Sequence, residues 1–426
     1  MQHGVTGMTL LARSLTLASL LLVSACIGAR AGAPAPPPDD DGGAPAPQPD
    51  SGAAPSFAEL DAYLDERLAA GLNGLAMVVY DANDRLVYQR ESGTCATNPA
   101  CPPGSPPFTV DLVTGIASSS KWVTSTTVLA VLEEQVNEGR VTDLDAALDT
   151  KVAPLLACDG VDGPVTDITM RHLLSFTSGL VPDHPCIDDA TTPLTACACT
   201  ILGDSAARMV TTPGAENPKR TAHPPGTTYK YGAAHHAVAG AVVERITKQS
   251  WNDVFEARVR GPLGLAMRYK NPKNLAGSID ASAADVARFV GAVFHDGRGD
   301  GPKRVLSRAA VEAQRADQVA PGVAWLLAPQ EGTAYGLNLW RWCYDDFDVT
   351  AIRDLELLTA RPSCDRVFQV GHGGKGGYQP FLDAGGRYYG VLAIREASAG
   401  GGADYDPEQV AVTLRARLYT HLAMTR

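Results

Sequence analysis

What the 426-residue chain lacks narrows its chemistry before any motif is read. It has no cluster of Lys and Arg, and its formal charge of −11 offers no electrostatic footprint for nucleic acid. No Gly-x-Ser-x-Gly occurs, so the strained strand-to-helix turn that presents the serine of an α/β-hydrolase is missing. No His-Glu-x-x-His occurs either, which leaves zinc peptidase chemistry without its usual ligands. The apolar run Leu15–Val23 near the start is too short to cross a bilayer as a permanent helix.

That run belongs to a first stretch, residues 1–25, with one Arg (Arg13), no Lys and no acid; it reads as a secretory signal. It leads into Leu22-Val23-Ser24-Ala25-Cys26, which resembles the bacterial lipobox, with Cys26 as the lipidated first residue of the mature chain. An ordinary cleaved signal ending in small residues is the alternative. Residues 26–55, rich in Ala, Pro, Gly and Asp, have almost nothing to bury and read as a disordered tether. The expected location is therefore the bacterial cell envelope, with the body lipid-anchored and facing the periplasm or exterior.

The remaining residues, 56–426, contain no second linker. A composition of 45% hydrophobic and 19% charged residues suits one large core. Eight cysteines follow Cys26, an even count that behind a signal peptide reads as disulfides. Cys95 with Cys101 and Cys343 with Cys364 are natural local pairs. The other four, Cys158, Cys186, Cys197 and Cys199, lie in or beside one irregular stretch. Cys197-x-Cys199 alone, without a second close pair, is poor support for zinc.

Ser56-x-x-Glu59 reads as a capping box before a helix carrying Phe57, Leu60, Leu64 and Leu68. Leu75–Tyr80 and Arg85–Gln89 flank a turn and read as a hairpin. Ser282 caps a helix with Val286, Phe289, Val290 and Val293 on one face. Val367–Val370, Tyr378–Leu382 and Tyr388–Ile394 read as three strands, and a last helix starts at Asp406-Pro407 with Val410, Leu414 and Leu418 inward. Strands at both ends with helices between predict an α+β fold: an antiparallel sheet built from both termini, flanked by helices, with a mostly helical region inserted.

The chemistry centres on Ala117-Ser-Ser-Ser-Lys121. Behind it Val128, Leu132 and Val136 recur every four residues, and Gly139 supplies a stop. If Ser118 sits in the first turn, Lys121 lies one turn on along the same face. A serine hydroxyl is a poor nucleophile until a base takes its proton, and an amine kept partly neutral by burial can be that base. The helix start also offers free N–H groups to an oxyanion. Ser-x-x-Lys recurs by chance on helix surfaces, so it carries weight only with partners downstream.

Those partners are Ile168-Thr-Met-Arg-His-Leu-Leu-Ser-Phe-Thr-Ser-Gly-Leu180, Pro225-Gly-Thr-Thr-Tyr-Lys-Tyr231, Gly261-Pro-Leu-Gly264 and Val370-Gly-His-Gly-Gly-Lys-Gly-Gly377. In this order the chain, from about residue 57 to 424, resembles the serine β-lactamase and penicillin-binding family, on its class C-like esterase and D-aminopeptidase branch. The resemblance implies the β-lactamase/transpeptidase-like fold and catalysis through an acyl-enzyme, with no metal or organic cofactor. Residue by residue it makes Ser118 the acylated serine and Lys121 the lysine of Ser-x-x-Lys. Tyr231 matches the Tyr-x-Asn tyrosine, with Tyr229 its substitute if the spacing slips. His372-Gly373-Gly374 matches the substrate-binding element on the edge strand beside the serine. The implied oxyanion hole uses the N–H groups of Ser118 and Lys375. Near an ammonium Lys121, a Tyr231 phenolate can accept the Ser118 proton. Two departures bear on substrate: Ala233 stands where the family has Asn, and His372 where many members have Lys.

The leading expectation is a tethered, monomeric serine hydrolase acting on small esters or on D-amino-acid amides and peptides. β-Lactamase or D-Ala-D-Ala carboxypeptidase activity is the alternative. A non-catalytic protein binding envelope peptides on the same scaffold is the alternative of another class, opposed by the joint presence of Ser118, Lys121 and Tyr231. The motif Gly371-x-Gly-x-x-Gly376 resembles a dinucleotide fingerprint but is followed by strand-like residues and Pro380 rather than a helix. His235-His236 is read as core or surface histidine, since adjacent residues point apart on a helix.

Overall fold

A computed structural model describes residues 56–94, 104, 106–189, 191–211, 217–299, 304–327, 334–343, 367–394 and 407–424. The expected signal sequence, the expected lipidation site Cys26, the expected tether and the expected pair Cys95–Cys101 lie outside them, as does Cys364 of the expected pair Cys343–Cys364. Residues Ala53–Arg426 make up one compact unit.

Its frame is a seven-stranded antiparallel sheet. In chain order the strands are β1 (Gly74–Asp81), β2 (Leu86–Gly93), β3 (Ala334–Tyr335), β4 (Trp340–Cys343), β5 (Val367–Gly371), β6 (Tyr378–Asp383) and β7 (Tyr388–Ile394). They lie in the order β2-β1-β7-β6-β5-β4-β3. The two termini meet at the β1–β7 pairing, where Leu75 faces Ile394 and Asp81 faces Tyr388. β1 and β7 are almost continuously apolar because both faces of the sheet are covered. β2, at the rim, alternates toward exposure.

The period-two alternation of β1 sorts the core into two layers. Leu75, Met77 and Val79 pack with Leu60 and Leu64 of α1 (Ala58–Ala69) and with Val410, Leu414 and Leu418, which belong to the C-terminal helix. Ala76 and Val78 join the larger core on the other face, with α2 (Ser120–Asn137), α3 (Ala234–Thr247) and α4 (Ala283–Phe294). The C-terminal helix is α5 (Pro407–Met424).

Two local expectations need correction. The Ser56 capping box does not form: Phe57 is the N-cap, and Ser56 Oγ accepts only a long 3.4 Å bond from the Ala58 N–H. The strand leading to His372 is not an edge either. β5 pairs with β6 on one side and β4 on the other, because the short strands β3 and β4 extend the sheet beyond it. At the α4 start, by contrast, Ser282 Oγ accepts the Asp285 N–H at 3.1 Å, as the sequence predicts.

Helix α2 is enclosed on every side from Ser120 to Leu132, so its polar residues must find partners inside. Ser125 donates to the Leu337 carbonyl at 2.8 Å, and Thr127 to Val123 at 2.9 Å. Gln314 ties Ser125, Thr126 and the Trp122 ring N–H together from outside. A helix fixed this firmly holds whatever stands at its start.

Candidate active site

Ser118 lies in a 3-10 turn, Ala117–Ser119, that feeds directly into α2. Ala117 enters it at φ +47°, a left-handed conformation that costs an alanine energy and marks a constrained approach. The three serines then separate by environment. Ser119 is buried and donates to the Tyr378 carbonyl of β6 at 3.2 Å. Ser120 is buried, donates to Ala117 at 2.7 Å and accepts the Ile279 N–H at 3.1 Å. Ser118 alone remains half-exposed.

One turn on, Lys121 is 4% exposed and its Nζ donates to Ser118 Oγ and to the Ala276 carbonyl, both at 3.0 Å. That carbonyl is set in place by the same helix: Thr124 Oγ1 donates to the preceding carbonyl, Leu275, at 2.6 Å. Burial pushes the Lys121 pKa down to about 7, opposed only in part by the field of Asp183. The amine is thus about half neutral at neutral pH and sits on the serine hydroxyl.

The Tyr231 ring faces this amine, with Nζ 4.6 Å from its centroid. Tyr231 is half-buried, whereas Tyr229 is fully enclosed, stacked on Trp325 at 4.1 Å, and its hydroxyl is pushed well above its usual pKa by burial. The strand before Tyr231 is held by a buried pair: His235 Nε2 donates to the Lys230 carbonyl at 2.8 Å, so Nδ1 accepts the Ser178 hydroxyl at 2.8 Å. Burial lowers the His235 pKa to about 3, which keeps the ring neutral in this role. Both His235 and His236 prove to be buried.

His372 lies against Tyr231 but is enclosed rather than open to a substrate. Its imidazole is wholly enclosed, with Nδ1 3.0 Å from the Gly373 carbonyl and Nε2 3.1 Å from the Tyr335 hydroxyl, and it lies nearly parallel to the Tyr231 ring at 5.9 Å. Burial and the Lys121 charge press its pKa well below the normal range, so it offers no cation to a substrate. It packs behind Tyr231. Of the glycines after it, Gly374 lies against the turn that bears Ser118. Gly374 donates to the Tyr378 carbonyl at 2.6 Å, and a Cβ there would collide with the Ile116 carbonyl and crowd Ser119 Oγ. Gly373 is half-buried and Lys375 exposed.

The cysteines resolve outside the site: Cys158 bonds Cys199, and Cys186 bonds Cys197. Cys197 and Cys199 are therefore split between two disulfides. Among the described residues no three His, Cys, Asp or Glu side chains gather as a metal site, and no helix is long and apolar enough to cross a membrane. Sequence reasoning missed Asp183 and the Ala276 carbonyl. The one signal for Asp183 is its place three residues after the Thr177-Ser-Gly-Leu180 motif; a backbone carbonyl leaves no trace in sequence.

With this geometry established, comparison with known proteins places the chain in a family. The Beta-lactamase family model matches residues 60–414, and the chain belongs to that family. Its fold is that of β-lactamases and transpeptidases, and the family's members are serine hydrolases that include esterases, acyltransferases and β-lactamases. Penicillin-binding protein 4 of Amycolatopsis lactamdurans is 26% identical over 272 residues, 55% of this chain and 64% of that protein. The chain thus spans under two thirds of the length of that curated relative. A candidate β-lactamase from Bacteroides dorei shares the fold with TM-score 0.64 at 22% identity, over 86% of this chain and 98% of that one. The class C β-lactamase of Rhodobacter sphaeroides does so with TM-score 0.58 at 16% identity, over 86% and 100%.

Proposed function

We propose that the protein is a serine hydrolase working through an acyl-enzyme on Ser118, acting on small esters or on D-amino-acid amides and peptides. The observation that carries the reading is the 3.0 Å bond between Lys121 Nζ and Ser118 Oγ, with an amine whose pKa is about 7. A base poised near ambient pH combines an adequate neutral fraction with adequate driving force. Neutral Lys121 takes the Ser118 proton as Oγ attacks the carbonyl. The N–H groups of Ser118 and Lys375 receive the oxyanion. On collapse the C–O or C–N bond breaks, the Tyr231 hydroxyl gives its proton to the leaving group, and ammonium Lys121 restores it. Water then repeats the sequence on the ester. Of the two bases the sequence offers, the Lys121 amine and the Tyr231 phenolate, this reading takes Lys121.

Ala233 in place of Asn, and a neutral enclosed His372 in place of Lys, favour esters over β-lactams, which bring a side-chain amide and a carboxylate to be held. We further propose secretion and lipid anchoring through Cys26, on sequence grounds. The working unit is taken as a monomer, with light scattering as the check; an assembly like that of the octameric penicillin-binding protein homologue from Pyrococcus abyssi is the opposing result. The central test is intact-mass analysis after a fluorophosphonate. One adduct, mapped to Ser118 and absent from Ser118→Ala, is expected. An unmodified protein under conditions that label a control esterase refutes the reading and favours a binding protein on the same scaffold.

A further inference from the structure

Helix α4, the loop that follows it and the turn between β1 and β2 enclose a cavity of about 700 Å³, and no residue of the Ser118 site lines it. That volume suits a small-molecule site. Its walls are pinned to one another. Asp84 Oδ1, on the hairpin turn, lies 2.6 Å from His295 Nε2 and accepts the Tyr389 hydroxyl at 2.8 Å. Gly291 of α4 lies so close to Tyr389 that a Cβ would collide with its hydroxyl. The Tyr80 and Tyr389 rings stack at 5.4 Å and Phe294 packs on Tyr389 at 5.0 Å, so one wall is aromatic.

The charged part of the lining is mainly basic: Arg288, Arg298, Arg304 and Arg308 stand against Asp84 and Asp296. Four guanidinium groups around one cavity stand out in a chain whose net charge is −11. They come from α4, from the segment after it and from the start of the helix Arg308–Arg315, so the fold rather than a basic run of sequence gathers them. Among the described residues no ion pair joins any of the four to Asp84 or Asp296. Arg288 pairs with Asp285 at 3.4 Å and Arg308 with Glu312 at 2.8 Å, both acids outside the lining. Arg304 gives one N–H to the Asp296 carbonyl at 2.9 Å. A guanidinium carries five N–H donors, so each of these arginines keeps donors beyond those bonds.

We propose that this cavity binds an organic phosphate, with the phosphate held by the arginines and the organic part laid on the wall of Tyr80, Phe294 and Tyr389. Guanidinium forks match phosphate oxygens in bidentate pairs. A phosphate monoester carries a charge of about −1.5 to −2 at pH 7, more than one carboxylate brings to the same four cations. The aromatic wall gives the ester a contact that inorganic phosphate cannot use. A free phosphate monoester and the phosphodiester headgroup of an anionic lipid share this chemistry. The site stands apart from the acyl-transfer reading, since its lining holds none of the residues that reading employs.

The test is calorimetric titration of the full chain with phenyl phosphate, inorganic phosphate, benzoate and glycerophosphoglycerol. Phenyl phosphate is expected to saturate one site per chain and to bind more tightly than inorganic phosphate or benzoate. Arg298→Ala and Arg304→Ala should each raise its Kd about tenfold, the low end for a hydrogen bond to a charged group because both side chains are exposed. Added salt should weaken binding in the wild type. Lys151→Ala removes the same charge from an exposed side chain outside the lining and should leave Kd unchanged. Near-UV circular dichroism checks that each variant keeps its fold. A preference for phenyl phosphate over glycerophosphoglycerol assigns the site to a free monoester, and the reverse preference assigns it to a lipid headgroup. The proposal is overturned by no saturation with either phosphate ester at millimolar concentration, or by benzoate binding as tightly as phenyl phosphate. It is overturned equally by a Kd that folded Arg298→Ala and Arg304→Ala leave unchanged, or that Lys151→Ala raises as much as they do.

Discussion

Replacing Lys121 by Met is expected to abolish activity and to stabilise the protein. Holding the amine's pKa near 7 in place of 10.5 disfavours the buried ammonium by about 5 kcal/mol. At pH 7, where about half the native molecules escape the penalty by staying neutral, about 4 kcal/mol still weighs against the fold. Methionine fills a similar volume without that cost. It leaves the Ala276 carbonyl without its donor, which returns about 1–3 kcal/mol. The net gain at pH 7 is therefore about 1–3 kcal/mol. Between pH 7 and 10.5 the unfolded chain binds more protons at this lysine than the native one, so wild-type stability rises with pH across that window, by up to about 1.4 kcal/mol per pH unit from this group. The Met variant lacks that contribution, and its advantage should shrink as pH rises. Urea unfolding of both proteins at pH 7, 8 and 9, with thiol-ester turnover in parallel, measures this. A Met variant less stable than wild type at pH 7, or an advantage that grows with pH, refutes a depressed Lys121 pKa and the base role built on it.

Ser118→Ala should lose all turnover of p-nitrophenyl butyrate, while Ser119→Ala keeps most of it and loses about 1 kcal/mol of stability with its bond to Tyr378; equal inactivity of the two would shift the nucleophile's register. Tyr231→Phe should slow an anilide by about 10²–10⁴-fold and the p-nitrophenyl ester far less, since p-nitrophenoxide leaves without a proton; equal losses would deny Tyr231 the proton-donating step. Gly374→Ala should cost about tenfold or more in kcat, because its methyl must push the glycine-rich segment off the turn that bears Ser118; unchanged kcat would separate that segment from the oxyanion site. On one preparation, kcat/KM for p-nitrophenyl butyrate should exceed that for nitrocefin, and the reverse order would favour a β-lactamase.

The frame was legible where a single periodicity ran long enough. Helix α2 declared itself through Val128, Leu132 and Val136, α4 through Val286, Phe289, Val290 and Val293, and β1, β6 and β7 through apolar runs between turn residues. β3 and β4 were missed because strands of two and four residues carry too few positions for a pattern. Ser56 and Glu59 matched a cap, but Phe57 took the cap position and packed its ring on Tyr88 at 4.7 Å, so tertiary contact overrode the local motif. For the site, motif order brought out Ser118, Lys121 and Tyr231 and could not show their environments. Nothing in Ser-x-x-Lys says that the lysine is buried, and a histidine in a glycine-rich run reads the same whether it faces substrate or core. Asp183 is one acid among 47, and its place is set by a fold that brings residue 183 beside residue 233.

The β1–β7 pairing sets a condition on when this chemistry can exist at all. Residues 74–81 have no partner on that side until residues 388–394 have been made, and the turn bearing Ser118 is braced by Tyr378. A chain leaving the ribosome from its N-terminus carries the nucleophile early but cannot close the sheet that supports it until synthesis is nearly complete. Closing a loop of this length is slow compared with local helix formation. That delay keeps Ser118 without its support for most of synthesis and makes any truncation before residue 394 a loss of the site rather than of one strand.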